Sequence, residues 1–201
     1  MANNLFIKQI EIGPMMNYSY LVGLDNDTNV VVIDVAWDPD KIIKTAEKEN
    51  KTIKAALLTH THFDHCNAVE AFSKKMPIPI YVNKEEADEI SSNSEVILTQ
   101  NNTKIEIASL KIECLHTPGH SPGSQCFLIN NVVFTGDTLF VDSCGRIDLH
   151  GSNPKDMSKS LKKLASLPDN TVVYPGHNYG PISHTTIGAQ KQSNYYMSNG
   201  I

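Results

Sequence analysis

Apolar positions along the chain fall into short runs broken by turn residues, and their spacing switches between a period of two and one near four. Leu5 to Ile12 alternates between apolar and polar. Asn17 to Val22 and Asn29 to Val35 are rich in β-branched and aromatic residues, with the turn sequence Gly23-Leu24-Asp25-Asn26-Asp27 between them, so three strands are predicted. Asp38-Pro39 opens a helix in which Asp38 is the cap and Pro39 the first helical residue, with Ile42, Ile43 and Ala46 on its apolar side. Ile53 to Leu58 is apolar without alternation, the pattern of a strand covered on both faces.

The same grammar recurs further along. A helix is expected over Asn67 to Lys74, a strand over Pro77 to Val82 and a short helix over Lys84 to Ile90. Leu110 to Leu115, Ser124 to Ile129 and Val132 to Thr135 read as strands, the last two joined at Asn130-Asn131. Asn153-Pro154 starts a helix through about Leu167, Thr171 to Tyr174 is a last strand, and Ser183 to about Tyr196 a terminal helix. Strands in two blocks, each flanked by helices, predict an α/β (α+β) chain: two sheets face to face with helices outside, a four-layer αββα sandwich formed as a single domain over residues 1–201. Tyr195, Tyr196 and Met197 could supply a homodimer contact or pack on their own domain.

Composition narrows the class. Of 201 residues 40% are hydrophobic and 19% charged, ordinary for a globular protein, and the net charge of -5 comes without the basic stripe that a nucleic-acid binder needs. The apolar runs are too short to cross a bilayer, and Met1 to Ile12 lacks a signal-peptide pattern, so a cytoplasmic location with no membrane partner is expected. Cys66, Cys114, Cys126 and Cys144 form no CxxC pair, which points to a reducing compartment; Cys114 and Cys126 read as small buried hydrophobes, while Cys66 and Cys144 fall in motif loops.

The chemistry lies at strand ends. His60, His62, Asp64 and His65 follow the strand ending at Leu58; His120 sits in Thr117-Pro118-Gly119-His120-Ser121-Pro122-Gly123; Asp137 in Thr135-Gly136-Asp137-Thr138; His177 in Pro175-Gly176-His177. Loops at one edge of a sandwich can converge, and function concentrates on such loops. Imidazole nitrogens and carboxylate oxygens are natural ligands of zinc, iron and manganese. His60 and His62 project to one side of an extended chain, Asp64 shares their parity, and His65 turns into the following helix, so the run offers ligands for two ions. Asp137, with two oxygens, could bridge them, and a water shared by two ions becomes a hydroxide near neutral pH. His116, His150 and His184 read as solvated side chains.

The run Thr59-His60-Thr61-His62-Phe63-Asp64-His65 resembles the signature of the metallo-β-lactamase superfamily, and His120, Asp137 and His177 are similar to its later ligands in order and spacing. The resemblance implies the αββα fold, with His60, His62 and His120 at one metal, Asp64, His65 and His177 at a second, and Asp137 between. Two zinc ions are the implied cofactor, with iron or manganese as other occupants; Asp64 would also orient the attacking hydroxide. Thr117 to Ser124, Phe134 to Phe140 and Cys144-Gly145-Arg146 are similar to the glyoxalase II-like (hydroxyacylglutathione hydrolase-like) branch. There the residues matching Arg146 and Tyr179 help hold the glutathione part of a thioester. An aspartate in the bridging position differs from β-lactamases proper, which place a cysteine there.

The resemblance thus implies a metallo-hydrolase of small-molecule thioesters, S-lactoylglutathione or another acyl thioester. Full-length glyoxalase II adds a C-terminal helical domain with basic residues for glutathione, whereas Lys191 is the only basic residue after His177 here. Gly145-Arg146-Ile147-Asp148, His177-Asn178-Tyr179-Gly180 and Thr185-Thr186-Ile187-Gly188 are similar to persulfide dioxygenases, which use one iron at positions matching His60, His120 and Asp137. A non-catalytic metal-binding scaffold is the third alternative.

Overall fold

The computed structural model describes residues 4–199. Leu5–Ile12 (β1), Asn17–Leu24 (β2) and Asn29–Ile33 (β3) pair antiparallel as a meander. Pro39–Lys48 (α1) then crosses over to Thr52–Leu57 (β4), which pairs parallel with β3. Two short helices, Phe63–Cys66 (α2) and Val69–Lys75 (α3), lead to Ile80–Asn83 (β5) and Val96–Thr99 (β6), both parallel, completing a six-stranded sheet in sequence order.

Lys104–Ile107 (β7), Leu110–His116 (β8), Gln125–Ile129 (β9) and Val132–Gly136 (β10) build an antiparallel second sheet. After the small hairpin Leu139–Phe140 (β11) and Ser143–Cys144 (β12), helix Pro154–Ala165 (α4) returns the chain to Val172–Pro175 (β13), parallel beside β10, and Thr185–Thr186 (β14) closes that edge. Ile187–Ser193 (α5) and Tyr195–Asn199 (α6) end the described chain.

Successive residues of a strand point to opposite faces, and the buried residues sort into three apolar layers accordingly. Val30, Val32, Ala56 and Leu58 face Ile42 of α1 and Phe72 of α3. Val31, Ile33, Ala55 and Leu57 face the other sheet, meeting Phe127, Ile129 and Phe134. Beyond, Cys126 and Val133 pack on Met157, Leu161 and Leu164 of α4 and Ile187 of α5. Three cores between four layers make the expected αββα sandwich, and they explain why β3 and the Ala55 to Leu57 end of β4 show no alternation: both faces are covered there. Asp38 and Asn153 cap α1 and α4 with their side chains, with Pro39 and Pro154 in first position.

Several elements differ from expectation. The helix over Lys84 to Ile90 is a single 3-10 turn, Ala87–Glu89. Asn83 captures the Glu85 N–H at 3.1 Å and the Glu86 side chain is buried, so the local bonds compete with an α-helix. The terminal helix starts only at Ile187, because Thr185 and Thr186 are drawn into the sheet by Val173 and Val172. It breaks at Asn194, whose Oδ1 accepts from Tyr196 and Met197 N–H and starts α6. Strands β6, β7, β11, β12 and β14 lay outside the expected set. Met197 packs into the layer under α4, on its own chain.

Phe127 is fully buried between the sheets. Phe127→Ala is expected to cost about 3–5 kcal/mol, read as a lower denaturation midpoint at unchanged m-value.

Candidate metal centre

Past β4 the Thr59 carbonyl still accepts from the Gln125 N–H at 2.8 Å, the chain then runs on through His60 and Thr61, and His62 (φ -58, ψ 142) stands at the N-terminus of α2. His60 and His62 therefore come from extended chain. Asp64 and His65 come from the first turn of a helix, so Asp64 reaches the site by helical geometry and not by the extended-chain parity expected from its number. His120 follows β8, Asp137 follows β10 and His177 follows β13, at the same edge of the sandwich.

These loops bring all seven residues together. Donor atoms of His60, His62 and His120 lie within 4.8 Å of one another, as do those of Asp64, His65 and His177, and those of His60, His65 and Asp137. Asp137 touches both halves: its Oδ2 is 3.5 Å from His120 Nε2 and 3.4 Å from His177 Nε2, and its Oδ1 is 3.3 Å from His65 Nε2.

The groups behind the histidines decide which nitrogen faces inward. His120 Nδ1 lies 2.8 Å from the Arg146 carbonyl and His177 Nδ1 lies 2.8 Å from the Met15 carbonyl. A carbonyl only accepts, so each Nδ1 carries the proton and each Nε2 keeps its lone pair for the centre. His65 Nδ1 donates to Asp34 Oδ2 at 2.9 Å, and Asp34 also accepts from the Thr59 N–H and Oγ1–H, each at 2.8 Å. Asn17 Nδ2 donates to Asp64 Oδ2 at 2.8 Å and is itself held by Trp37 Nε1, 2.8 Å from Asn17 Oδ1. Asp34 and Asn17 were absent from the expected site. Asp34 had a signal, a lone carboxylate closing the apolar run Val30 to Ile33; Asn17, opening an ordinary strand, had none.

The arrangement fits cations. His60 Nε2 and Asp137 Oδ1 are buried without a hydrogen-bond partner. His65 Nε2 and His177 Nε2 face each other at 3.1 Å while both Nδ1 atoms are committed outward, so something positive must separate two lone pairs. Without metal that charge is a proton. Burial lowers the affinity of His177 for it, but hydrogen bonds to Asp137 and Asp64 outweigh burial and raise its pKa to about 9. His65 shows the same balance: burial opposes the charge, and Asp137 and Asp34 carry the pKa well above the ordinary imidazole value. Burial and the neighbouring His65 push His60 well below it. Burial opposes the charge of Asp64 too, yet His177, His65 and Asn17 hold it below the usual carboxylate range.

A cleft of about 560 Å³ opens over these residues. Met15, Phe63, Phe140, Val141 and Leu149 give it apolar walls, and Phe63 is 71% exposed at the rim. Tyr179 stacks on the His177 ring at 4.4 Å and 10°. The Arg146 guanidinium lies at the rim and is engaged by Asp148 through two bonds of 2.9 and 3.0 Å, while its carbonyl serves His120. Cys144 lines the cleft, but burial pushes its thiol up to about 11, and that of Cys66 to about 12, so neither is a thiolate at neutral pH.

Fold and cluster define a class. A model of the metallo-beta-lactamase superfamily matches residues 12–177, and the chain belongs to that superfamily. The probable polyketide biosynthesis zinc-dependent hydrolase PksB of Bacillus subtilis is 32% identical, over 90% of this chain and 81% of its own. The probable hydroxyacylglutathione hydrolase glo2 of Schizosaccharomyces pombe is 35% identical, over 92% and 84%. The crystal structure of the BLEG-1 B3 metallo-beta-lactamase superposes with a TM-score of 0.87 at 32% identity, covering 96% of this chain and 100% of that one.

Two outcomes test the centre. A ligand imidazole must be neutral, whereas the facing His65 and His177 Nε2 atoms share a proton in the metal-free chain, with the His177 pKa raised to about 9. Zinc added at pH 7 in weak buffer should therefore release about one proton per chain from this pair, and the affinity should rise with pH until about 9; pH-stat titration measures both. A Cβ at Gly145 would stand 1.9 Å from the Asp137 carbonyl and 3.0 Å from His120 Nδ1. Gly145→Ala should thus cut metal content of the purified protein, measured by elemental analysis, by disturbing both residues at once.

Proposed function

We propose that the chain is a metal-dependent hydrolase of acyl thioesters, of glyoxalase II type, working with two zinc ions in the cytoplasm. The observation that carries this reading is the cleft: five of the seven donor residues, His62, Asp64, His120, Asp137 and His177, line its floor with His60 and His65 buried, and its walls are apolar enough to take an acyl chain. Bound zinc would supply a Lewis acid for the carbonyl and lower the pKa of water. His60, His62 and His120 would hold one ion, Asp64, His65 and His177 the other, with Asp137 between them. The names of two relatives, a zinc-dependent hydrolase and a hydroxyacylglutathione hydrolase, point the same way.

The chain's own residues have definable tasks. Asp64 Oδ2 is aimed by Asn17 and stays unprotonated, so it can accept a hydrogen bond from the attacking water and orient it. Phe140 and Val141 exclude bulk water from the floor, strengthening electrostatic contacts there. Tyr179 offers its ring edge and hydroxyl to the substrate from its stack on His177. Arg146 can pair with a substrate carboxylate by exchanging its exposed partner Asp148, a contact that costs little to break. A reducing cytoplasm suits four free cysteines whose thiols burial pushes to about 11 or 12.

The test is a screen of the purified protein with S-lactoylglutathione, acyl thioesters of other thiols and a β-lactam, under air and under nitrogen, with elemental analysis. Thiol release independent of oxygen and abolished by chelator is expected. His60→Ala and Asp137→Ala should each lower kcat/KM by more than about a hundredfold, beyond the loss usual for outer-shell changes. One iron per chain with oxygen consumption would overturn the reading in favour of persulfide oxidation, and activity on the β-lactam alone would overturn the thioester.

A further inference from the structure

Glu86 follows β5, far from the donor residues in sequence, and its side chain is 4% exposed. It turns inward between two of the loops described above. Its Oε2 accepts from the Thr61 N–H at 2.9 Å and lies 2.9 Å from Thr61 Oγ1, whose one proton is shared with Glu89 Oε2 at 2.7 Å. Its Oε1 accepts from the Gly123 N–H at 2.7 Å. Thr61 is the residue between His60 and His62, and Gly123 stands three positions after His120. One carboxylate thus holds both loops that deliver His60, His62 and His120.

The fit leaves little freedom. A Cβ on Gly123 would lie 2.7 Å from Glu86 Cγ and 2.8 Å from its Cδ, so only glycine lets this backbone come so close to the carboxylate. Glu86 is in turn fixed by its own N–H, which donates to the Asn83 carbonyl at 3.1 Å. Buried backbone N–H groups bonded to a carboxylate are among the stronger hydrogen bonds. Asp34 holds His65 in the other half and reaches the first half only through Thr59, whose Oγ1 lies 3.1 Å from His60 Nδ1; no bond joins Asp34 to Thr61 or Gly123.

We infer that Glu86 is a positioning residue for the His60–His62–His120 half of the centre alone, setting the separation of its two loops through Thr61 and Gly123 so that three imidazoles meet one ion. The inference rests on the metal reading proposed above. Outer-shell partners of this kind are worth about 10- to 100-fold in metal affinity. The glutamine variant keeps the size of the side chain but has one carbonyl oxygen where the carboxylate has two. It can serve Thr61 or Gly123 but not both.

The measurement is chelator competition on zinc-loaded wild type, Glu86→Gln and Glu86→Asp, with zinc per chain determined by elemental analysis and the melting temperature recorded alongside. Wild type should give up two ions. Glu86→Gln should lose one of them at about tenfold lower chelator concentration or less, keep the other at the wild-type midpoint, and melt within a few degrees of wild type when metal-free. Glu86→Asp, which keeps both oxygens on a shorter stem, should fall between. Two wild-type midpoints in Glu86→Gln, or an equal shift of both, would overturn the assignment. Wild type without bound zinc would instead overturn the metal reading itself, a distinct result.

Discussion

The carboxylate of Asp34 is the constraint on which the arrangement of the centre depends. It sits at the end of β3, buried, in a backbone conformation with φ of +55° that an aspartate tolerates better than most residues. Its N–H donates to the Leu57 carbonyl at 2.9 Å, extending the pairing of β3 with β4 past the last regular residue. Its two oxygens then take the Thr59 N–H, the Thr59 hydroxyl and His65 Nδ1. The direction in which the chain leaves the sheet, and the ring that the next helix presents, are set by one side chain. A buried charge without partners would be strongly unfavourable, so the three donors and the carboxylate hold each other in place.

The other histidines are backed differently. His120 and His177 lean on main-chain carbonyls, of Arg146 and Met15, whereas His65 leans on a charged group. A carboxylate behind an imidazole makes its inner nitrogen a stronger donor than a carbonyl does. The two halves of the centre are therefore unlike in electron supply although both are rich in histidine. Asp137 joins them, with one oxygen toward His65 and the other toward His120 and His177.

Much of this was legible in the residues alone. The layering could be read because β3 and β4 must fill two cores, which leaves runs such as Val30 to Ile33 and Ala55 to Leu58 with no polar face. The donors stood out because packing does not ask for three histidines and an aspartate within one short loop. Asp34, Asn17 and Glu86 were harder to see, since a single polar residue at a strand end has many ordinary uses and its partners lie on other elements. Arg146 drew notice for its guanidinium, while its carbonyl is what reaches His120, and a carbonyl has no signature in sequence. The broken terminal helix was also beyond local reading: Thr185 and Thr186 are claimed by strand β13, a pairing that helix periodicity cannot anticipate.

The first sheet meets the second at the site edge through main-chain contacts: the Tyr18 N–H donates to the Gly176 carbonyl at 2.7 Å, and Asn17 bridges to His177. His60, His62, Asp64 and His65 belong to the first sheet's half of the chain, and His120, Asp137 and His177 to the second's. A nascent chain that has folded only its first half would carry an incomplete set of donors, and the remainder arrive with the last strands to dock. On the metal reading proposed above, the complete donor set exists only in a chain whose two halves have closed in register, so the two ends of the fold and the centre are completed by the same contacts.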